Sequence, residues 1–345
     1  MPPLLPEILF LGTGTSSGVP VIACACDTCC SSDPRDNRTR TGAAVRWTDD
    51  SGQSRVVLLD AGPDLRTQAL RHNLWRADAI LFTHNHVDHL FGLDDVRRFN
   101  VAMRSPIDIY AEERVWEALH RVYKHVFDKG ANINDSFVAD LIERRIEDPD
   151  GANTPDPRSG RLPASQGGAA APIDLHGMRF TPIRLLHGHL PILGFRIEPI
   201  PGTDLARRVE ASPHNPFPFA WYTDTSAIPP KSWQPLSGLR ALALDGLRHR
   251  SHPTHFNLDR AVDAAERLGA DQTWLIHIAH EVLHARDEPD MPEPVRFGID
   301  GLVLSCDQPP RIETGPGHSQ SVPPVDRRSP DDPRPVRVEP EGEPS

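Results

Sequence analysis

The stretch Thr83-His84-Asn85-His86-Val87-Asp88-His89 puts three imidazoles and a carboxylate within residues 84–89. It follows directly on Ala79-Ile80-Leu81-Phe82, an apolar run that reads as a buried strand. Side chains at i and i+2 of an extended segment point the same way, so His84 and His86 can clasp one cation. Asp88 and His89, one turn on, can face a second. The apolar strand feeding this turn makes it rigid, which suits a preorganised site. Surface histidines with a capping Asp before a helix near residues 90–99 would not need four donors packed so closely.

Outward from this turn, short apolar runs alternate with helical spacing. Residues 7–11, 55–60, 180–186, 192–197, 219–223, 241–244 and 273–276 read as strands, and the first runs into the turn Gly12-Thr13-Gly14. Residues 65–73 and 114–127 have helical spacing, and residues 258–268 read as a helix stopped by Gly269. No internal repeat is visible. The pattern predicts a mixed α and β domain over residues 1–307. Residues 308–345 hold ten of the 36 prolines, interleaved with charges and almost without large apolar residues. Such a segment cannot bury enough surface to offset its ordering entropy, so it reads as a disordered tail. Residues 148–172, rich in Gly, Ala, Pro and Ser, read as an inserted surface loop, and 199–219 is a third weakly patterned stretch.

Composition narrows the classes. With 48 Asp+Glu against 37 Lys+Arg and a net charge of −11, the chain does not suit generic coating of nucleic acid. No apolar run reaches about 18 residues, so no transmembrane helix is expected. The start, Met1-Pro2-Pro3-Leu4-Leu5-Pro6-Glu7, lacks a basic segment followed by an apolar one, so the expected location is the cytoplasm. Five cysteines, four of them among residues 24–30, do not form a disulfide framework; with 17 histidines, they point to metal.

His-x-His-x-Asp-His after a strand resembles the signature of the metallo-β-lactamase superfamily. Other segments agree in order: Leu59-Asp60-Ala61-Gly62 is similar to its Asp-x-Gly turn, which would set Asp60 behind a ligand histidine. The resemblance implies an αββα sandwich, two mixed β-sheets flanked by helices. It also implies two divalent ions, Zn²⁺ or Mn²⁺, held by His84, His86, Asp88, His89, His187, Asp224 and His277, with Asp224 bridging. His189 competes with His187, and His280 with His277. Asp245, after the strand 241–244, reads either as a carboxylate behind a ligand or as an ordinary turn residue.

The N-terminal loop carries Cys24-Ala25-Cys26-Asp27-Thr28-Cys29, and three thiolates at this spacing can wrap one Zn²⁺, leaving a position for a distant ligand. Cys30 and Cys306 have no role assigned. The loop resembles the subgroup containing the phosphonate-pathway phosphodiesterase that opens a ribosyl 1,2-cyclic phosphate. In that subgroup the fourth ligand is the second His of Thr-His-x-x-His, which falls on His280, although Ile276 stands here in place of Thr. A closed site of this kind would staple the N-terminal loop to the wall of the active site. The subgroup also implies a role for His255 as general acid or phosphate clamp; His249 and His252 are its rivals, and a solvated residue at the entry to the helix is the plain alternative.

These resemblances imply a dinuclear-metal phosphodiesterase in which an activated hydroxide attacks a small, cyclic phosphodiester, with Asp88 and His255 as the catalytic side chains. A homodimer is open, since dimers are common in the fold. No membrane or nucleic-acid partner is expected. One rival is a tRNA 3′-processing endonuclease of the same fold, which would need a basic arm; the 148–172 insertion offers only Arg158 and Arg161. The other is a non-catalytic protein similar to those of pyrroloquinoline-quinone biosynthesis, which share the three-Cys loop but have a degraded His-x-His-x-Asp-His.

Overall fold

Alternate residues of the strand Ser54–Leu59 serve two different cores. Val57 and Leu59 join a cluster with Phe10, Trp47, Phe180, Phe195 and Trp221, whereas Val56 and Leu58 join one with Phe82, Trp116 and Leu119. A period of two with apolar residues on both faces requires a sheet covered on both sides. The computed structural model describes residues 5–155 and 159–314, and it has that layering.

The first sheet is built from β1 (Glu7–Gly12), β2 (Gly42–Thr48), β3 (Ser54–Leu59), β4 (Ala79–Leu81), β5 (Ile107–Ala111) and β6 (Leu141–Arg145). The second takes β7 (Ile173–Leu175), β8 (Met178–His187), β9 (Leu190–Pro199), β10 (Phe219–Tyr222), β11 (Ala241–Asp245), β12 (Gln272–Ile276) and β13 (Val295–Phe297). β14 (Leu302–Ser305) and β15 (Arg311–Ile312) return to the first sheet, whose order is β15-β14-β1-β2-β3-β4-β5-β6. The second runs β13-β12-β11-β10-β9-β8-β7. Both are mixed: β3 to β6 pair parallel while β1 pairs antiparallel with β2 and β14, and β10 to β13 pair parallel while β7 to β10 are antiparallel.

The inner cluster draws on both sheets, with Phe10 and Trp221 edge to face at 5.4 Å. Helices close the outer faces. Glu113–Val122 packs Trp116 and Leu119 against the first sheet, and Leu258–Leu268 packs Ala261, Ala265 and Leu268 against the second. The latter helix ends, as its sequence predicts, at Gly269 in a left-handed conformation with φ of 65°. The αββα sandwich is therefore the observed architecture. No helix among the described residues is long and apolar enough to cross a membrane.

Three expectations change in detail. Residues 114–127 split into Glu113–Val122 and Lys124–Phe127 at Tyr123, whose hydroxyl donates to the Leu90 carbonyl at 3.1 Å. Residues 199–219 contain a helix, Asp204–Glu210, capped by Thr203 Oγ1 accepting from the Ala206 amide. The start of the segment read as a tail is built into the sheet: β15 pairs with β14, and Glu313 meets Arg46 at 2.7 Å and His72 at 3.2 Å. Those specific partners hold a stretch whose average composition offers no core; residues 315–345 lie outside the described ones. The 148–172 insertion is irregular but pinned, because the fully buried Arg184 guanidinium holds Glu112, Asp148 at 2.8 Å and Asp150 at 3.3 Å. Arg158 lies outside the described residues.

Candidate metal centre

Parallel strands bring their carboxyl ends to one edge of a sheet, and the candidate residues sit there. Asp60 follows β3, His84 follows β4, Asp224 follows β10, Asp245 closes β11 and His277 follows β12. β8 is antiparallel to β9, which is antiparallel to β10, so His187 at its end joins the same edge. The two sheets are tied there by the Leu193 amide donating to the Thr83 carbonyl at 2.9 Å.

Two sets of four donors result. His84, His86, His187 and Asp224 offer ligand atoms all within 4.8 Å of one another, and so do Asp88, His89, Asp224 and His277. Asp224 lies between them: Oδ2 is 3.1 Å from His89 Nε2, and Oδ1 is 3.2 Å from His277 Nε2 and 4.0 Å from His84 Nε2. His86 is exposed, whereas His84, His89, His187 and His277 are buried. His187, not His189, enters the cluster; His189 is exposed.

The ring orientations are fixed from behind. His89 Nδ1 donates to Asp60 Oδ2 at 2.7 Å, His187 Nδ1 donates to the Thr254 carbonyl at 2.7 Å, and His84 Nδ1 lies 2.9 Å from Thr83 Oγ1. Each bond leaves Nε2 as a lone-pair donor facing the cluster. The Asp60 carboxylate also takes the Thr83 amide and hydroxyl, tying the β3 and β4 turns together. Asp60, Asp224 and His277 all have positive φ (65°, 53° and 59°), a conformation costly for a side-chain-bearing residue and concentrated at functional sites. Gly62 is required by close approach, because a Cβ there would lie 2.1 Å from the Asp88 carbonyl oxygen.

The donor set fits divalent cations. Among the described residues, buried His84 Nε2, His89 Nε2 and His277 Nε2 have no hydrogen-bond partner, a costly state for polar atoms that a bound cation would relieve. Asp224 is fully buried, and burial raises its proton affinity, yet His277 and His89 hold it well below the usual carboxylate range. Burial opposes charge on His277 too, but Asp224, Asp88 and Asp245 lift it to about 9. A divalent cation held here would displace the His277 proton and take its place as the partner of Asp224.

His255 flanks the cluster. Its Nδ1 is 2.7 Å from Asp245 Oδ2, which also accepts the Thr225 amide at 2.9 Å. Its ring stacks on His277 with centroids 4.8 Å apart and meets His187 at 4.6 Å. Asp245 is thus a buried partner of the site, not a turn residue. Burial pushes its carboxyl well above the usual range, and burial with the nearby His277 pulls His255 down to about 4. The rivals lie further out: His249 is half-exposed and pairs with Asp287, and His252 contacts Thr254.

The thiol cluster is also formed. Cys24, Cys26 and Cys29 Sγ lie 3.3, 3.4 and 3.7 Å from His280 Nδ1. Ligands at zinc–sulfur and zinc–nitrogen bond lengths around a tetrahedral ion stand about 3.6 Å apart, so this set fits one zinc. A hydrogen bond from the Cys29 backbone leads in drawing Cys26 down to about 6, while burial pushes Cys29 up to about 11. Cys30 is exposed, and Cys306 is buried and donates to the Pro6 carbonyl.

Comparison with known proteins agrees with this layout. The family model of the beta-lactamase superfamily domain matches residues 55–278. A solved structure described as a new diphosphatase from the PhnP family is 33% identical, with a TM-score of 0.68, covering 87% of this chain and 96% of that one. The chain belongs to the metallo-β-lactamase superfamily, and within it to the PhnP family. The octanoyltransferase of Porphyromonas gingivalis is 30% identical over 302 residues, 87% of this chain and 51% of that protein. Zinc-bound PqqB of Methylobacterium extorquens shares the fold, with 18% identity, a TM-score of 0.58, and coverage of 86% of this chain and 99% of that one. The chain spans about half the length of the curated relatives it matches.

Two contributors to this superfamily site escape a reading of sequence. The Thr254 carbonyl that orients His187 is a backbone atom, and no residue preference marks it. Thr83, which bonds both Asp60 and His84, stands in the quoted stretch, but its neighbours there draw all the attention.

Proposed function

We propose that this chain is a dinuclear-metal hydrolase that cleaves a small phosphodiester, a cyclic one above all. The observation that carries the reading is the pair of four-donor sets sharing Asp224, with the His255–Asp245 pair at their edge. His84, His86, His187 and Asp224 would hold one divalent ion, and Asp88, His89, Asp224 and His277 the other; Cys24, Cys26, Cys29 and His280 would hold a zinc outside the catalytic pair. Zinc and manganese both suit the His and Asp set, where they supply Lewis acidity and bring the pKa of water toward neutrality.

The chain's own residues do the rest. Asp60, Thr83 and the Thr254 carbonyl keep the ligand imidazoles turned inward, so no reorganisation is needed when phosphate charge develops. Burial drives Asp245 and His255 toward their uncharged forms, and the 2.7 Å contact of Asp245 Oδ2 with His255 Nδ1 requires a proton between them. With that proton between Asp245 Oδ2 and His255 Nδ1, Nε2–H is free to be donated to a departing alkoxide. A strained ring favours this chemistry, since opening relieves strain.

A second reading, hydrolysis of a small diphosphate, is favoured by the 33% identity to a PhnP-family diphosphatase. The two separate by leaving group: an alkoxide needs the His255 proton and a phosphate needs it far less. Endonuclease action on tRNA has little support, because Arg161 is the only described basic residue of the 148–172 insertion.

The test is a metal-reconstituted protein offered a ribosyl 1,2-cyclic phosphate, bis-p-nitrophenyl phosphate, a nucleoside diphosphate sugar and precursor tRNA. Turnover of the cyclic diester, lost in His86→Ala, is expected. Fast cutting of precursor tRNA with inert small esters would overturn the proposal, and so would a metal content of a single ion per chain.

A further inference from the structure

The tetrapeptide His277-Ile278-Ala279-His280 has one end in each metal-type cluster. His277 reaches Asp224 at 3.2 Å, and three residues on, the His280 ring sits among three thiols. Between them the backbone is clamped on both sides. The Ile278 amide donates to the Thr13 carbonyl at 2.9 Å, the Thr15 amide donates to the Ile278 carbonyl at 3.1 Å, and the Ala279 amide donates to the Leu247 carbonyl at 2.9 Å. Thr13 and Thr15 belong to the same N-terminal segment that carries the cysteines, and Gly14 bridges to both Ile278 and Arg40. The clamp holds an unfavourable conformation, since His277 has φ of 59°. Its own Nδ1 is buried with no hydrogen-bond partner among the described residues. His89 and His187 are held at Nδ1 by a carboxylate and a carbonyl; His277 lacks that support, and its placement comes from the backbone.

We propose that the Cys24/Cys26/Cys29/His280 cluster is a positioning device for the second catalytic cation: an ion held there fixes the His277 turn. Its loss weakens capture at Asp88, His89, Asp224 and His277 and spares the set of His84, His86, His187 and Asp224. This goes beyond a staple of purely structural kind, and it rests on the two-ion reading above. The physical basis is sharing of one short segment. An ion that draws three thiolates onto His280 locks the Thr13–Thr15 segment against residue 278. Without it, the strained residue relaxes toward negative φ and swings its imidazole away from Asp224. Coupling of this kind is reciprocal in free energy, so filling the second catalytic site must also tighten the thiolate ion.

Full-length zinc protein is first analysed for metal, and about three ions per chain are expected; fewer would sink the two-ion reading itself. Zinc release is then followed while p-hydroxymercuribenzoate strips the thiolate site of wild-type protein. The expected record is one equivalent lost at once, a second lost with an apparent affinity weakened about 10- to 100-fold, and a third retained. Release of one equivalent alone, with the second still bound at its original affinity, overturns the proposal. Cys26→Ser is expected to behave as the stripped protein. His280→Cys, which keeps four ligands for the ion, is expected to restore wild-type binding at the second site, and failure to do so with the thiolate zinc in place also overturns it. Cobalt substitution gives an independent readout, because thiolate charge-transfer bands report the outer ion and ligand-field bands the catalytic ones.

Discussion

Asp245 accepts from the Thr225 amide and faces His255 Nδ1 at 2.7 Å, so one oxygen fixes both a backbone turn and an imidazole. Asp245→Asn keeps the shape and cannot share a proton with His255. Turnover of a diester with an alkyl leaving group should fall about 10- to 100-fold. Bis-p-nitrophenyl phosphate, whose phenolate leaves without help, should suffer much less. Equal losses in kcat/KM for the two substrates would remove the proton-holding role. Gly62 is a second single-residue test. A methyl there meets the Asp88 carbonyl, so Gly62→Ala must push the Val87–Leu90 helix outward. Overpacking of this kind costs about 1–3 kcal/mol, read by denaturant unfolding, and metal analysis should show weakened retention of the ion that Asp88 and His89 would hold.

At the scale of elements, β15 shows how a few charges set an edge. Burial favours protonation of Glu313, but bonds from His72 and Arg46 outweigh it and pull its carboxyl down from the ordinary 4.5 to about 2. A folded pKa below the unfolded one means this stabilisation is full above about pH 4.5 and disappears as pH falls toward 2. Glu313→Gln should therefore lower the Tm at neutral pH and flatten its decline across that acid window; an unchanged pH profile would show that β15 is held by other means. Deeper in, Trp221 on β10 is fully buried between the sheets against Phe10. Trp221→Ala should cost about 3–5 kcal/mol in urea unfolding, since neither sheet can close over the space alone. Several elements were legible beforehand because period-two apolar runs and a Gly stop announce them, as at β3, β11 and the helix Leu258–Leu268. β2, β5, β6, β7, β13, β14 and β15 were not. Leu141–Arg145 carries three charged residues, all exposed, so only its parallel pairing with β5 makes it a strand.

For the whole molecule, ions at the sheet edge would add bridges between halves of the chain that already meet through side-chain packing, the Arg184–Glu112 pair and backbone bonds such as Leu193–Thr83 and Ile278–Thr13. Each ion bound only by the folded state adds about 2.7 kcal/mol at a free concentration a hundred times its Kd, so a chelator should lower the Tm by several degrees per ion in calorimetry. An unchanged Tm would mean that the clusters do not bind metal at the concentrations used. What residue order decides by itself is the chemistry on offer. Four donors within residues 84–89 and three thiols within 24–29 announce metal, because such groups rarely crowd a short segment for any other reason. Partnership is decided elsewhere. Choosing His187 over His189, giving His277 and His280 different clusters, and turning Asp245 from a turn residue into the support of His255 all depend on which strand ends share one edge of the sandwich. Those residues come from stretches far apart in the chain, and local periodicity has no term for such distances; only the packing of two sheets brings them within bonding reach.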